Sequence, residues 1–99
     1  MKLTELTKIP KVLGAGVVSM DGFIVESQFT VGYDAEKFGA MAARIVNQIS
    51  KSLKTEASSV ILYAPNIVFF AKARGDGVLF TIGTKDANLG LIKIKFDKI

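Results

Sequence analysis

Few residues in this chain could carry out covalent chemistry. There is no cysteine and no histidine, which removes the thiolate nucleophile and the commonest general base and metal ligand. Nine carboxylates are present, but no two sit at a spacing that suggests an acid–base or metal pair, and no Ser–Lys arrangement replaces them. No catalytic residue, cofactor or metal site is assigned. Gly14-Ala15-Gly16 is not a phosphate loop, because it runs into neither a GxxG nor a GK[ST] ending and a strand follows it. Arg74-Gly75-Asp76 spells a cell-adhesion tripeptide, yet between two apolar runs it reads as a turn, with Gly75 and Gly77 supplying positive φ. The chemistry left is non-covalent. Lys37, Arg44 and Lys51 fall seven apart on one stripe of a helix, with Ala40 and Gln48 beside them. That stripe is either a docking face or a solvated one.

The helix that carries the stripe runs from Asp34 to Lys54. Apolar residues recur at Phe38, Met41, Ala42, Ile45, Ile49 and Leu53, the three-and-four spacing of one helix face. Asp34 is a good N-cap, Glu36 sits where the helix dipole favours a carboxylate, and Lys51 and Lys54 sit at the negative pole. On a wheel of about 100° per residue, Phe38, Ala42, Ile45, Ile49 and Leu53 face a sheet. Gly39, Ala43 and Ser50 form a flank of small residues. Such a flank either admits a second helix across a dimer or consists of good helix formers with no further role.

Around the helix the chain reads as short extended segments. Leu3, Leu6 and Ile9 mark a short helix stopped by Pro10. Residues 12–20 and 23–29 are strands flanking Asp21-Gly22, the signature of a type I′ hairpin turn. Gly14 and Gly16 share one face of the first strand and leave room for close approach, most simply by a helix. Residues 58–64, 67–74 and 78–83 form a meander, turned at Pro65-Asn66 and at Gly75-Asp76-Gly77. Both faces of residues 67–70 are apolar, so the sheet is covered on both sides. The tail from Asn88 has two readings. Ile92, Ile94 and Phe96 alternate as in a strand, whereas Leu89, Ile92, Phe96 and Ile99 fit one helix face with Asn88 as N-cap; the period leans to strand.

The totals add constraints. The 99 residues correspond to one domain, 1–99. They are 49% hydrophobic, much apolar surface for so small a body, which suggests oligomerisation. The net charge of +4 is scattered, and Phe23, Phe38, Phe69 and Phe80 read as core, so no nucleic-acid partner is expected. No stretch approaches the ~18 apolar residues of a membrane span, so direct membrane insertion is not expected and the cytoplasm is the default compartment.

The order short helix, strand, Asp-Gly turn, strand, long helix, three strands, tail resembles the Roadblock/dynein-light-chain domain family, including its MglB-like members. Leu6-Thr7-Lys8-Ile9-Pro10-Lys11-Val12-Leu13-Gly14-Ala15 looks like the opening helix and first strand. Val17-Val18-Ser19-Met20-Asp21-Gly22-Phe23-Ile24 looks like the characteristic hairpin, and Asn88-Leu89-Gly90-Leu91-Ile92-Lys93 like the start of the last helix. The resemblance implies an α+β fold, a five-stranded antiparallel sheet with one long helix on one face and short terminal helices on the other, and so a helical tail. It implies a homodimer paired through the third strand (Ser59, Val60, Ile61, Leu62) beside the long helices, where Gly39 and Ala43 would lie. From the residues alone, that strand's hydrophobicity fits an unprotected edge or an interior position. The resemblance further implies a non-catalytic adaptor that binds a small Ras-like GTPase across a layer including Lys37, Ala40, Arg44, Gln48 and Lys51. The alternative is a structural dimerisation subunit of a larger motor- or membrane-associated assembly, indifferent to nucleotide state. A small-molecule sensory domain ranks third.

Overall fold

In a computed structural model, which describes residues 3–30, 32–54, 59–75 and 77–98, the elements follow one another as α1 (Leu3–Thr7), β1 (Val12–Ser19), β2 (Ile24–Phe29), α2 (Ala35–Leu53), β3 (Ser59–Tyr63), β4 (Ile67–Arg74), β5 (Gly77–Thr84) and α3 (Leu89–Lys98). The strands form one antiparallel sheet in the order β2-β1-β5-β4-β3. The fold is α+β, with α2 on one face and α1 and α3 on the other. The tail is a helix. Asn88 caps it, its side chain accepting from the Leu91 amide at 3.0 Å, and the alternating pattern that favoured a strand gives way to burial of Ile92 and Phe96.

Two cores result. Under α1 and α3 lie Leu3, Leu6, Ile9, Ala15, Phe70, Leu79, Ile92 and Phe96, with Phe96 edge-on to Phe70 at 4.5 Å between centroids. Under α2 lie Val18, Ala42, Ala43, Val46, Phe69, Ala71, Val78, Phe80 and Ile82. β5, the central strand, is buried on both faces, as the doubly apolar meander requires. Its Thr81 hydroxyl donates to the Gly14 carbonyl at 2.6 Å, beside the register shift between Val12 and Gly14. The space over Gly14 and Gly16 is filled by aromatic rings rather than by a helix: a Cβ on Gly16 would meet the Phe80 ring at 2.7 Å, and one on Gly14 would run into Phe29. Helix α2 meets these rings through Phe38, whose ring stacks on Phe29 at 6.1 Å.

The hairpin differs from the expected type I′ turn. Its loop spans four residues, Met20–Phe23, closed by Ser19 N–H to the Phe23 carbonyl and Gly22 N–H to the Ser19 carbonyl, each at 2.9 Å. Only Gly22 is left-handed, at φ 92°. The extra residues are absorbed by a bulge between Val17 and Val18. At the later turn, Gly75 has φ 59°, as expected. Glycine is needed at 77 because a Cβ there would sit 2.7 Å from the Val18 carbonyl oxygen. Asp76 lies outside the described residues.

Candidate partner-binding surfaces

Helix α2 begins and ends as its sequence dictates. The Asp34 carboxylate accepts from the Lys37 amide at 3.2 Å, and Lys54 closes the helix in the left-handed conformation with φ 54°. Its orientation on the sheet differs from the expected one. The buried stripe is Gly39, Ala42, Ala43 and Val46. Phe38, Ile45 and Ile49 are half-buried on its flank, and Leu53 is exposed. The wheel is turned towards the small residues because they let the helix lie close to the sheet. A Cβ on Gly39 would stand 2.5 Å from Ile24 Cδ1 and 3.4 Å from Val18 Cγ2. Gly39 and Ala43 are therefore occupied in packing within their own chain rather than lining a free small-residue flank.

The same rotation raises the basic stripe. Lys37, Arg44, Gln48 and Lys51 are exposed on the outer side of α2, and Ala40 is half-buried beside them. No carboxylate lies within ion-pair reach of Lys37, Arg44 or Lys51 among the described residues, whose ion pairs all lie elsewhere. The hairpin tip stands next to the stripe. Met20, Asp21 and Gly22 line a shallow cleft of about 230 Å³ with Ala40, Ala43, Arg44 and Asn47. Next to it Phe23 is 74% exposed. The reading of Phe23 as core fails because the four-residue loop carries it past the end of the sheet. Met20 and Phe23 are the residues sequence reasoning missed here; their signal was their position immediately flanking Asp21-Gly22, at the tip rather than in the strands. The cleft is smaller than the ~300–1,000 Å³ of typical ligand pockets, and no group of three potential metal-ligating carboxylates forms among the described residues.

The second surface is β3. Among the described residues it is an edge strand, hydrogen-bonded to β4 alone, which resolves the choice between edge and interior. Ile61 is 40%, Leu62 41% and Tyr63 71% exposed. Opposite Phe70 and Val68, Ile61 and Tyr63 point to the α1/α3 side, whereas Val60 and Leu62, opposite Ala71 and Phe69, point to the α2 side. Ser59 is exposed at the start of the strand.

The chain is similar to known proteins. The Roadblock/LC7 domain profile matches residues 1–84. The uncharacterized protein MJ0310 of Methanocaldococcus jannaschii is 31% identical over 97 residues, spanning 93% of this chain and 84% of that protein. Among solved structures, a Roadblock/LC7 domain from Streptomyces avermitilis superposes with a TM-score of 0.85 at 13% identity, over 96% of this chain and 84% of that one. Myxococcus xanthus MglB does so with a TM-score of 0.80 at 20% identity, over 94% and 80%. With the sheet order, the two helical layers and the bare edge strand already in place, these matches identify the chain as a member of the Roadblock/LC7 domain family.

Proposed function

We propose that this protein is a non-catalytic homodimeric adaptor that binds a small Ras-like GTPase on its α2 layer. The observation that carries the dimer is the uncovered apolar edge at β3. Pairing two such strands would join two five-stranded sheets into one of ten and place both α2 helices on the same face. Ser59, Val60, Ile61 and Leu62 form the pairing strand, with Tyr63 beside them. Half-buried Ile45 and Ile49 and exposed Leu53 stand on the same side of the sheet as Val60 and Leu62. They offer a partner helix apolar surface in place of the Gly39–Ala43 contact.

The GTPase reading draws on family membership and on what α2 presents. Lys37, Arg44 and Lys51 supply unpaired positive charge, Gln48 and Ala40 a flat surround, and Met20 and Phe23 an apolar anchor at the margin. Exposed aromatic and arginine side chains are both enriched at interface hot spots. Any effect on hydrolysis would come from positioning groups of the GTPase itself. A pull-down with the small GTPases of the same organism, each loaded with GTP or GDP, tests the proposal. Nucleotide-dependent capture, weakened at least tenfold by Arg44→Glu or Phe23→Ser, is expected, since each removes more than ~1.4 kcal/mol of contact. Capture indifferent to nucleotide would support the structural-subunit reading, and no capture by any GTPase would remove the adaptor reading.

A further inference from the structure

The positive charge of this protein is not scattered in three dimensions. On the α1/α3 layer and the sheet face beneath it stand, among the described residues, seven lysines, at positions 8, 11, 72, 85, 93, 95 and 98, against four carboxylates, Glu5, Asp86, Asp97 and, opposite Val17 on β2, Glu26. That is a surplus of three positive charges. On the other face and the hairpin, Lys37, Arg44, Lys51 and Lys54 stand against Asp21, Asp34 and Glu36, a surplus of one. Three of those four carboxylates are already engaged. Asp97 accepts from Lys72 at 2.8 Å, Glu5 pairs with Lys95 at 3.6 Å, and Asp86 with Lys11 at 3.6 Å. Lys8, Lys85, Lys93 and Lys98 are exposed and have no ion pair among the described residues.

An apolar residue stands in the middle of this field. With Ile92 and Phe96 seated on the sheet, the helical turn aims Ile94 outwards, and it is 53% exposed. Lys98 lies one turn along from it and Lys93 beside it. The crest of α3 therefore reads Gly90, Ile94, Lys98, a convex ridge with lysines about one aliphatic point.

We propose that the α1/α3 face is a peripheral docking surface for an anionic lipid bilayer, with Ile94 seated at the headgroup boundary and the free lysines on the headgroups. A cluster of four or more lysines about an amphipathic helix is the composition that anionic leaflets attract. Lysine stems can lie along the apolar boundary while the ammonium groups stay in water. An outward isoleucine favours a bilayer over the other polyanions: nucleic acid rewards aromatic faces for stacking, and this ridge presents none. No helix among the described residues is long and apolar enough to cross a membrane, so the contact is superficial. In a dimer paired through β3 both basic faces would point one way and both α2 helices the other, but the docking does not depend on that pairing.

Cosedimentation with vesicles of phosphatidylcholine alone, and of an equal mixture with phosphatidylglycerol, tests the proposal. Binding to the mixed vesicles only, falling as salt rises, is expected. At about fivefold per lysine, Lys93→Gln with Lys98→Gln lowers partitioning ~25-fold. Ile94→Ser lowers it several-fold and leaves the salt dependence unchanged, while Lys54→Gln on the opposite face changes nothing. All four positions are exposed, and thermal melting confirms that each variant is folded. Equal binding to both vesicle types, no binding to either, or full binding by Ile94→Ser would overturn the proposal. Capture by poly(U) that needs Lys93 and Lys98 but ignores Ile94 would overturn it in favour of nucleic acid.

Discussion

The sheet has two edges, β2 and β3, and they are built in opposite ways. β2 carries Glu26, Ser27 and Gln28 in its middle, and its pairing with β1 is broken by a bulge between Val17 and Val18. Helix α1 packs against it on one face, with the Thr7 hydroxyl 3.2 Å from Gln28 Oε1, and α2 lies over Ile24 and Phe29 on the other. Charge, a bulge and covering helices are the devices that keep an edge from pairing with another chain. β3 has none of them. Its run Val60-Ile61-Leu62-Tyr63 is uncharged, pairs with β4 without a register shift, and leaves three large apolar side chains partly or largely in water. The difference teaches where to look for self-association. Hydrophobicity alone does not mark an interface, since β5 is also apolar and simply interior; an apolar strand with an open hydrogen-bonding side does.

The sharpest way to break this contrast is to place a charge on each edge in turn. Ile61→Lys is expected to raise the dimer dissociation constant at least 100-fold, because two like charges would be buried near the symmetry axis. Ser27→Lys on β2 is expected to leave the mass unchanged. Sedimentation equilibrium reads both, and an unchanged mass for Ile61→Lys with a change for Ser27→Lys would exchange the roles of the edges. Next in size is Gly39→Val. A branched side chain there must displace Ile24 and lift α2 from the β2 side, at a cost of ~1–3 kcal/mol in urea unfolding without change of oligomeric state. A loss of dimer at full stability would instead put Gly39 at the interface. Thr81→Val removes the hydroxyl that satisfies the Gly14 carbonyl where β1 slips its register, and should cost ~1–2 kcal/mol in the same measurement.

The smallest effect concerns Asp97. The hydrogen bond from Lys72, and then the charge of that lysine, hold its carboxyl below the ordinary 3.8. A depressed folded value means the contribution is present above the unfolded value and lost as pH falls through the folded one. Lys72→Met is therefore expected to move the Asp97 titration back towards 3.8, as NMR of the carboxyl carbon would show. At neutral pH its effect on stability should be slight, because the pair is at the surface.

How much of this was legible in the residues varies by element. The extent and caps of α2 were, because Asp34, Glu36 and Lys51 act on the nearest turn of backbone. The outward placement of Lys37, Arg44 and Lys51 was legible too, since a stripe seven apart stays on one face through any modest rotation of the wheel. The exact sheet-facing side of the helix was not. Apolar mass pointed to Ile45, Ile49 and Leu53, while closeness of packing selected Gly39, Ala42 and Ala43, and the second criterion depends on what lies beneath. Phe23 was misread for a related reason, since whether the loop is Asp21-Gly22 or Met20–Phe23 decides whether it belongs to the strand.

By itself, then, the sequence determined the elements, their caps, the absence of sulfhydryl and imidazole chemistry, and through its motif order the family. These rest on interactions a few residues long, or on the residue types themselves. The tertiary structure decided which apolar strand became an edge, how α2 was rolled on the sheet, and that most of the surplus positive charge falls on one face. Those outcomes depend on which segments lie side by side, and the strand order β2-β1-β5-β4-β3 brings together residues more than 60 positions apart, such as Thr81 and Gly14.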